Sequence, residues 1–155
     1  MLTLMVDTLH CMFLGVVPKF LQACIWMCIM NNVWGSDAVH QQTRDELNIQ
    51  ACRAALFDWY KKMRQSNQGH ALTELGDLTP GMLGTRASQC FTPKGAESKC
   101  MIPFVVGLLE KYRAVLPAPQ VNYLLLSGRA LMGLLDKMQA APQQAYPSCL
   151  QGRYV

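Results

Sequence analysis

A mainly α-helical domain, a bundle-like array of helices with one short strand at its N-terminus, is predicted by three features of this 155-residue chain. Apolar residues recur at three- and four-residue steps over most of its length, as in Ile49, Cys52, Leu56, Trp59, Tyr60 and Met63, which is the signature of helices with one buried face. Glycine and proline gather in a few places, chiefly Gln65 to Thr92 and Pro117 to Pro119, and leave long stretches free of helix breakers. Only one run, Leu2, Leu4, Met5 and Val6, has the short, partly branched apolar character of a buried strand.

Taken in order, that strand delivers Asp7 to a strand-to-helix elbow, and Thr8 is a good N-cap for the helix that follows. Helix is expected near 9–32 in two pieces, the second with Pro18 in its first turn, where a missing amide proton does no harm. Phe20, Leu21, Ala23, Cys24, Ile25, Trp26, Met27, Ile29 and Met30 make nearly every side of it apolar, so it should be the centre of a core or lie against another domain. Asn31, Asn32, Gly35 and Ser36 then make a turn, with Ser36 or Asp37 as N-cap of a long amphipathic helix near 38–64. Its basic end, Lys61, Lys62 and Arg64, reads either as a solvated terminus matching the helix dipole, the commoner case, or as a phosphate contact.

Residues 65–92 are expected to be loop or short helical turns, and the most mobile internal segment. A helix near 96–116 follows, in which Pro103 requires either an end near Met101 or a kink. The tight turn at Pro117 to Pro119 leads into a last helix near 120–140, and these two helices should pair antiparallel. Residues 1–141 read as a single domain, and 142–155, containing proline, glutamine and serine, as a disordered tail.

Composition excludes several classes. With 51% hydrophobic and 15% charged residues the chain is neither disordered nor a solvating linker, and some of its surface should meet a partner. The formal charge of +4 is compatible with DNA but is not gathered into a dense basic run. Seven cysteines, an odd number without a CxxC pair, read as buried small hydrophobes in a reducing, intracellular setting rather than as a zinc site or a disulfide framework. Pro18, Lys19 and Gln22 interrupt the one apolar stretch that approaches membrane-spanning length, and Asp7 and His10 stand where a signal peptide needs its apolar core. Neither membrane insertion nor secretion is expected.

Two strings point to a function. Val-Asp-Thr-Leu-His-Cys-Met-Phe-Leu-Gly-Val-Val-Pro-Lys-Phe-Leu, starting at Val6, resembles the segment of eukaryotic cut-and-paste transposases, the CACTA-type and related transposon families, in which an acidic residue is followed by two residues, a histidine, an apolar pair and Leu-Gly-Val. Lys94 to Val106, Lys-Gly-Ala-Glu-Ser-Lys-Cys-Met-Ile-Pro-Phe-Val-Val, is similar to a later block in which a lysine, a small residue, an acidic residue and an apolar helix succeed one another. The resemblance implies part of a ribonuclease-H-like DDE core with its helical insertion, DNA as partner, and a nuclear location. It makes Asp7 the second and Glu97 the third of three metal-binding carboxylates, with His10 beside them as a further catalytic position that contacts phosphate or orients Asp7. Lys94 and Lys99, flanking Glu97, become either nucleic-acid contacts or charge partners of Glu97, the second being the commoner use of such clusters.

Such enzymes hold two divalent cations about 4 Å apart, one activating the attacking oxygen and one stabilising the leaving oxygen. Magnesium suits the task because it binds through few carboxylates and keeps positions open for phosphate. No counterpart of the first carboxylate is found, since only six residues precede Asp7. The expectation is therefore a transposase-derived fragment whose magnesium binding is weak or lost, joined in function by self-association or by further transposase segments. The alternative is a non-enzymatic helical interaction or scaffold domain in which Asp7, His10 and Glu97 are ordinary polar residues.

Overall fold

The computed structural model of the protein describes residues 9–66 and 72–140, with side chains described for 12–66 and 72–138. The expected strand Leu2 to Val6, the elbow at Asp7 and the tail 142–155 lie outside the described residues. A π-helical segment, Leu9–Val16, runs directly into α1, Val17–Met30. It is followed by α2, Gln41–Gln65, the single turn α3, Pro80–Leu83, then α4, Gly95–Lys111, and α5, Ala118–Ala140. Among the described residues extended pairing is limited to one antiparallel bridge between Gly84 and Gln89, so the mainly helical character expected from the sequence holds there.

The all-round apolar helix is the centre of the core. Val17, Leu21, Cys24, Ile25, Cys28 and Ile29 of α1 are fully buried, with α4 and α2 packed against them and the π-helical segment lying against both α1 and α4. The stretch Met12–Met30 is long and apolar enough to span a bilayer, yet half of it is buried inside this fold, as befits a core helix. Pro18 has no amide to offer the Leu14 carbonyl. Wider winding just ahead of it moves carbonyls onto amides one residue further along, a physical reason for π rather than α geometry over Leu9–Val16.

The second helix begins later than expected, because Asn32 rather than Ser36 organises the preceding turn. Asn32 takes a positive φ of 50°, its Oδ1 accepts the Ser36 amide at 2.9 Å, and the buried Asn48 donates to the same oxygen at 2.8 Å. His40 stands at the N-cap of α2 without capping it through its side chain. Lys62 pairs with Asp58 and Arg64 with Glu74, so two of the three basic residues at the end of α2 are committed to carboxylates of this chain.

The segment 72–92 is loop with the one short turn α3, as expected, but it is packed onto the core. Leu75, Leu78, Leu83 and Phe91 are core residues. Their backbone is held from the helices: the Tyr60 hydroxyl accepts the Leu75 amide at 3.0 Å, and the Trp26 indole donates to the Leu83 carbonyl at 2.9 Å. Residues 67–71 of the same expected loop lie outside the described residues.

At Pro103 the helix neither ends nor splits: α4 continues through it, and the residue is exposed, which leaves the unpaired Lys99 carbonyl on the solvent side. The helix ends at Lys111, five residues short of the expected end at 116, and closes through turns at Tyr112 to Leu116. α4 and α5 pack as an antiparallel hairpin, with Arg129 donating to Glu110 at 2.9 Å and Arg113 to Asn122 at 2.9 Å. The fit is closest at Gly128, where a β-carbon would lie 2.4 Å from Val106 Cγ2 and 3.0 Å from Phe20 Cζ.

Candidate functional site

The two strings singled out in the sequence meet in space. The first continues through the π-helical segment and the second opens α4, and a β-carbon on Gly95 would touch Phe13 Cβ at 3.5 Å and Leu14 Cδ2 at 3.7 Å. A β-carbon there would make ordinary van der Waals contact, so the two elements lie side by side at packing distance. π-Helical windings in proteins are rare and frequently found at functional sites. Asp7 lies outside the described residues; the backbone of His10 belongs to the π-helical segment, while its side chain is outside them too.

Glu97 sits in the first turn of α4, half-buried, and its Oε2 accepts the Lys94 amide at 2.8 Å. This is one half of a capping box, in which the third helical residue reaches back to the N-cap amide. The reciprocal half is chemically closed to Lys94, since an ammonium group has no lone pair to accept with. Ser98 supplies other bonds, its amide donating to the Lys94 carbonyl at 2.8 Å and its hydroxyl to the same oxygen at 3.0 Å. A carboxylate here is also favoured by the positive end of the helix dipole.

Among the described residues no ion pair joins Glu97 to Lys94 or Lys99, so the expected charge partnering is replaced by a backbone contact. Lys94 is exposed. Lys99 lines a groove of about 520 Å³ bounded by the π-helical segment, α4 and α5, together with Phe13, Leu14, Gly95, Ala96, Leu135 and Met138. Its lining is mostly apolar, with Lys99 the one charged residue among those that border it.

Glu97 alone does not make a magnesium site. One of its oxygens is already engaged by an amide, and among the described residues no three His, Cys, Asp or Glu side chains converge as metal ligands would. The buried thiols do not offer a substitute. Burial pushes Cys28 up to about 12 and raises Cys24 and Cys52 as well, so all three stay protonated and poor ligands at neutral pH.

The strongest polar constellation was missed in the sequence. Asp45, only 8% exposed, receives both Arg86 Nε at 2.7 Å and Nη2 at 2.8 Å in a two-pronged pair, and Gln41 at 2.9 Å besides. It fastens the start of α2 to the segment after α3. A signal was present: Asp45 continues the buried stripe of Ile49, Cys52 and Leu56 back by four residues, and a carboxylate at a core position calls for a partner. No family model, curated protein or solved structure matches the chain.

Proposed function

We propose that this chain derives from the catalytic core of a eukaryotic DDE-type transposase of the CACTA-like group, and that its own metal chemistry is weak or lost. The observation that carries the reading is the packing of the two transposase-like strings on each other, Gly95 against Phe13 and Leu14. In a DDE core the second and third carboxylates come from separated parts of the chain and must converge, and a contact between the string that holds Asp7 and the string that holds Glu97 supports that reading. Asp7 and Glu97 are the ancestral metal positions, His10 the neighbouring one, and Lys94, exposed at the mouth of α4, a candidate contact for DNA phosphate in the nucleus. Magnesium, when bound, would neutralise phosphate charge; this chain contributes Glu97 on the rigid first turn of α4, with one oxygen held by the Lys94 amide and hence a poor competitor for the cation. The amide bond on Glu97 favours, as a second reading, a helical interaction module that has kept the scaffold without the chemistry.

Incubating the purified chain with supercoiled plasmid and magnesium or manganese tests the proposal, together with binding to a labelled duplex at several salt concentrations. Duplex binding that weakens steeply with salt, without nicking, is the expected result. Metal-dependent nicking lost in Asp7→Asn would overturn the loss of chemistry, and absence of duplex binding at low salt would overturn the DNA partner.

A further inference from the structure

The groove bounded by the π-helical segment, α4 and α5 holds the one half-buried lysine among the described residues. Lys19, Lys61, Lys62, Lys94, Lys111 and Lys137 are all exposed, whereas Lys99 is partly withdrawn into the groove wall. Ala96 precedes it by one turn of α4 on the same side. Leu135 and Met138 form the wall from α5, and Phe13 and Leu14 the wall from the π-helical segment. Two of these apolar side chains stand open to solvent, Leu14 at 55% and Met138 at 43% exposure. Among the described residues Lys99 has no ion pair, although Arg53, Lys62, Arg64, Arg86 and Arg129 each have a carboxylate of this chain. An ammonium group partly removed from water without a counter-charge is costly, and it gains from an anion brought to it. At about 100° per residue Lys99 lies on the opposite side of α4 from Glu97, so the groove is separate from the candidate metal carboxylate.

We propose that this groove binds a single-chain alkyl carboxylate, a fatty-acid anion, with its head group paired to the Lys99 ammonium and its chain along Phe13, Leu14, Leu135 and Met138. Charge sets the head group. Lys99 is the one charged residue among those bordering the groove, so a single negative charge is matched. A second, as on a phosphate monoester, would be left unpaired against apolar walls. The walls set the rest of the molecule. About 520 Å³ lies within the range of small-molecule sites, which are mostly apolar with a few polar groups that fix orientation. Leu14 and Met138 leave apolar surface for the chain to cover, and the unbranched, adaptable Met138 side chain accommodates chains of somewhat different length. None of this depends on descent from a transposase.

Titrating sodium decanoate, kept below its micelle concentration, into the isotopically labelled full chain tests the site through amide resonances, with circular dichroism to show that each variant stays folded. The amides of residues 13–14, 95–99 and 135–138 should shift together and saturate. Decylammonium, with the same chain and the opposite charge, should bind about tenfold or more weakly, since it sets two like charges together in an apolar groove. Lys99→Gln should weaken decanoate about fivefold or more, the loss of one charge-assisted bond, and leave decanol unchanged. Ala96→Phe, which fills the groove from an exposed position, should abolish saturable binding. Absence of saturable shifts in the wild-type chain would overturn the site, as would equal affinity for decanoate and decylammonium. If Lys99→Gln without ligand moves the amides of residues 1–8, or dilution of the ligand-free chain moves those of the groove, the occupant is the chain's own N-terminal segment or a second copy, and the fatty-acid site falls.

Discussion

Replacing Gly128 by alanine sets two effects of known size against each other. In a helix interior alanine is favoured over glycine by about 1 kcal/mol. Against this, the new β-carbon would lie 2.4 Å from Val106 Cγ2 and 3.0 Å from Phe20 Cζ, where carbon atoms settle at about 3.5–4 Å. Val106 is branched at Cβ and buried in α4, so its rotamer cannot swing aside, and the hairpin itself must open. Overpacking of this kind costs about 1–3 kcal/mol, and the stiffness of the neighbour puts the case at the upper end. Gly128→Ala should then lose about 1–2 kcal/mol net, read as a lower urea midpoint with unchanged slope in far-ultraviolet circular dichroism. In a Val106→Ala background the added methyl has room, and the same substitution should cost little or even stabilise. A wild-type-background Gly128→Ala more stable by about 1 kcal/mol would refute the close approach of α5 to α4 and α1.

Three further outcomes follow from the packing. Asp45→Ala leaves Arg86 without its two-pronged partner; with the Arg86 side chain 32% exposed, the loss should be about 2–3 kcal/mol, below that of a fully buried pair, measured by chemical unfolding. Native stability should be insensitive to the buried thiols below pH 9 and fall above it. Cys24, Cys28 and Cys52, whose ordinary value is 9.0, ionise there only in the unfolded chain, at about 1.4 kcal/mol per pH unit for each thiol, and Cys52→Ala should flatten the fall. Among the described cysteines, Cys90 is exposed and should be alkylated first, with Cys24, Cys28 and Cys52 reacting only on unfolding.

The helices were legible because their signals are local. The stripe of Ile49, Cys52, Leu56 and Tyr60 is the buried face of α2, and the all-round apolar α1 is the centre of the core. What sequence spacing could not carry were contacts made at a distance. Residues 72–92 look like loop by composition, yet Leu75, Leu78, Leu83 and Phe91 reach the core because Tyr60 and Trp26 supply hydrogen bonds to their backbone. Asp45 is polar in a stripe that is otherwise apolar, and its partner Arg86 stands 41 residues away. At the candidate site, the acidic residue after Lys94-Gly-Ala was recognised by its string, but its bond to the Lys94 amide follows from capping geometry that a metal-ligand reading passes over.

The central claim is that Asp7 and Glu97 are the converging remains of one metal site, and paramagnetic broadening by manganese tests it most directly, since it registers weak binding that calorimetry misses. Manganese would be titrated into the isotopically labelled chain while amide resonances are followed. The amides around residues 7–10 and 95–99 should broaden together and before others, and both sets should be spared by either Asp7→Asn or Glu97→Gln alone, the latter keeping the capping bond that glutamine can also make. Broadening of only one set, broadening of each set that depends only on its own carboxylate, or broadening led by other acidic residues would contradict the claim and leave the helical interaction module as the account of this chain.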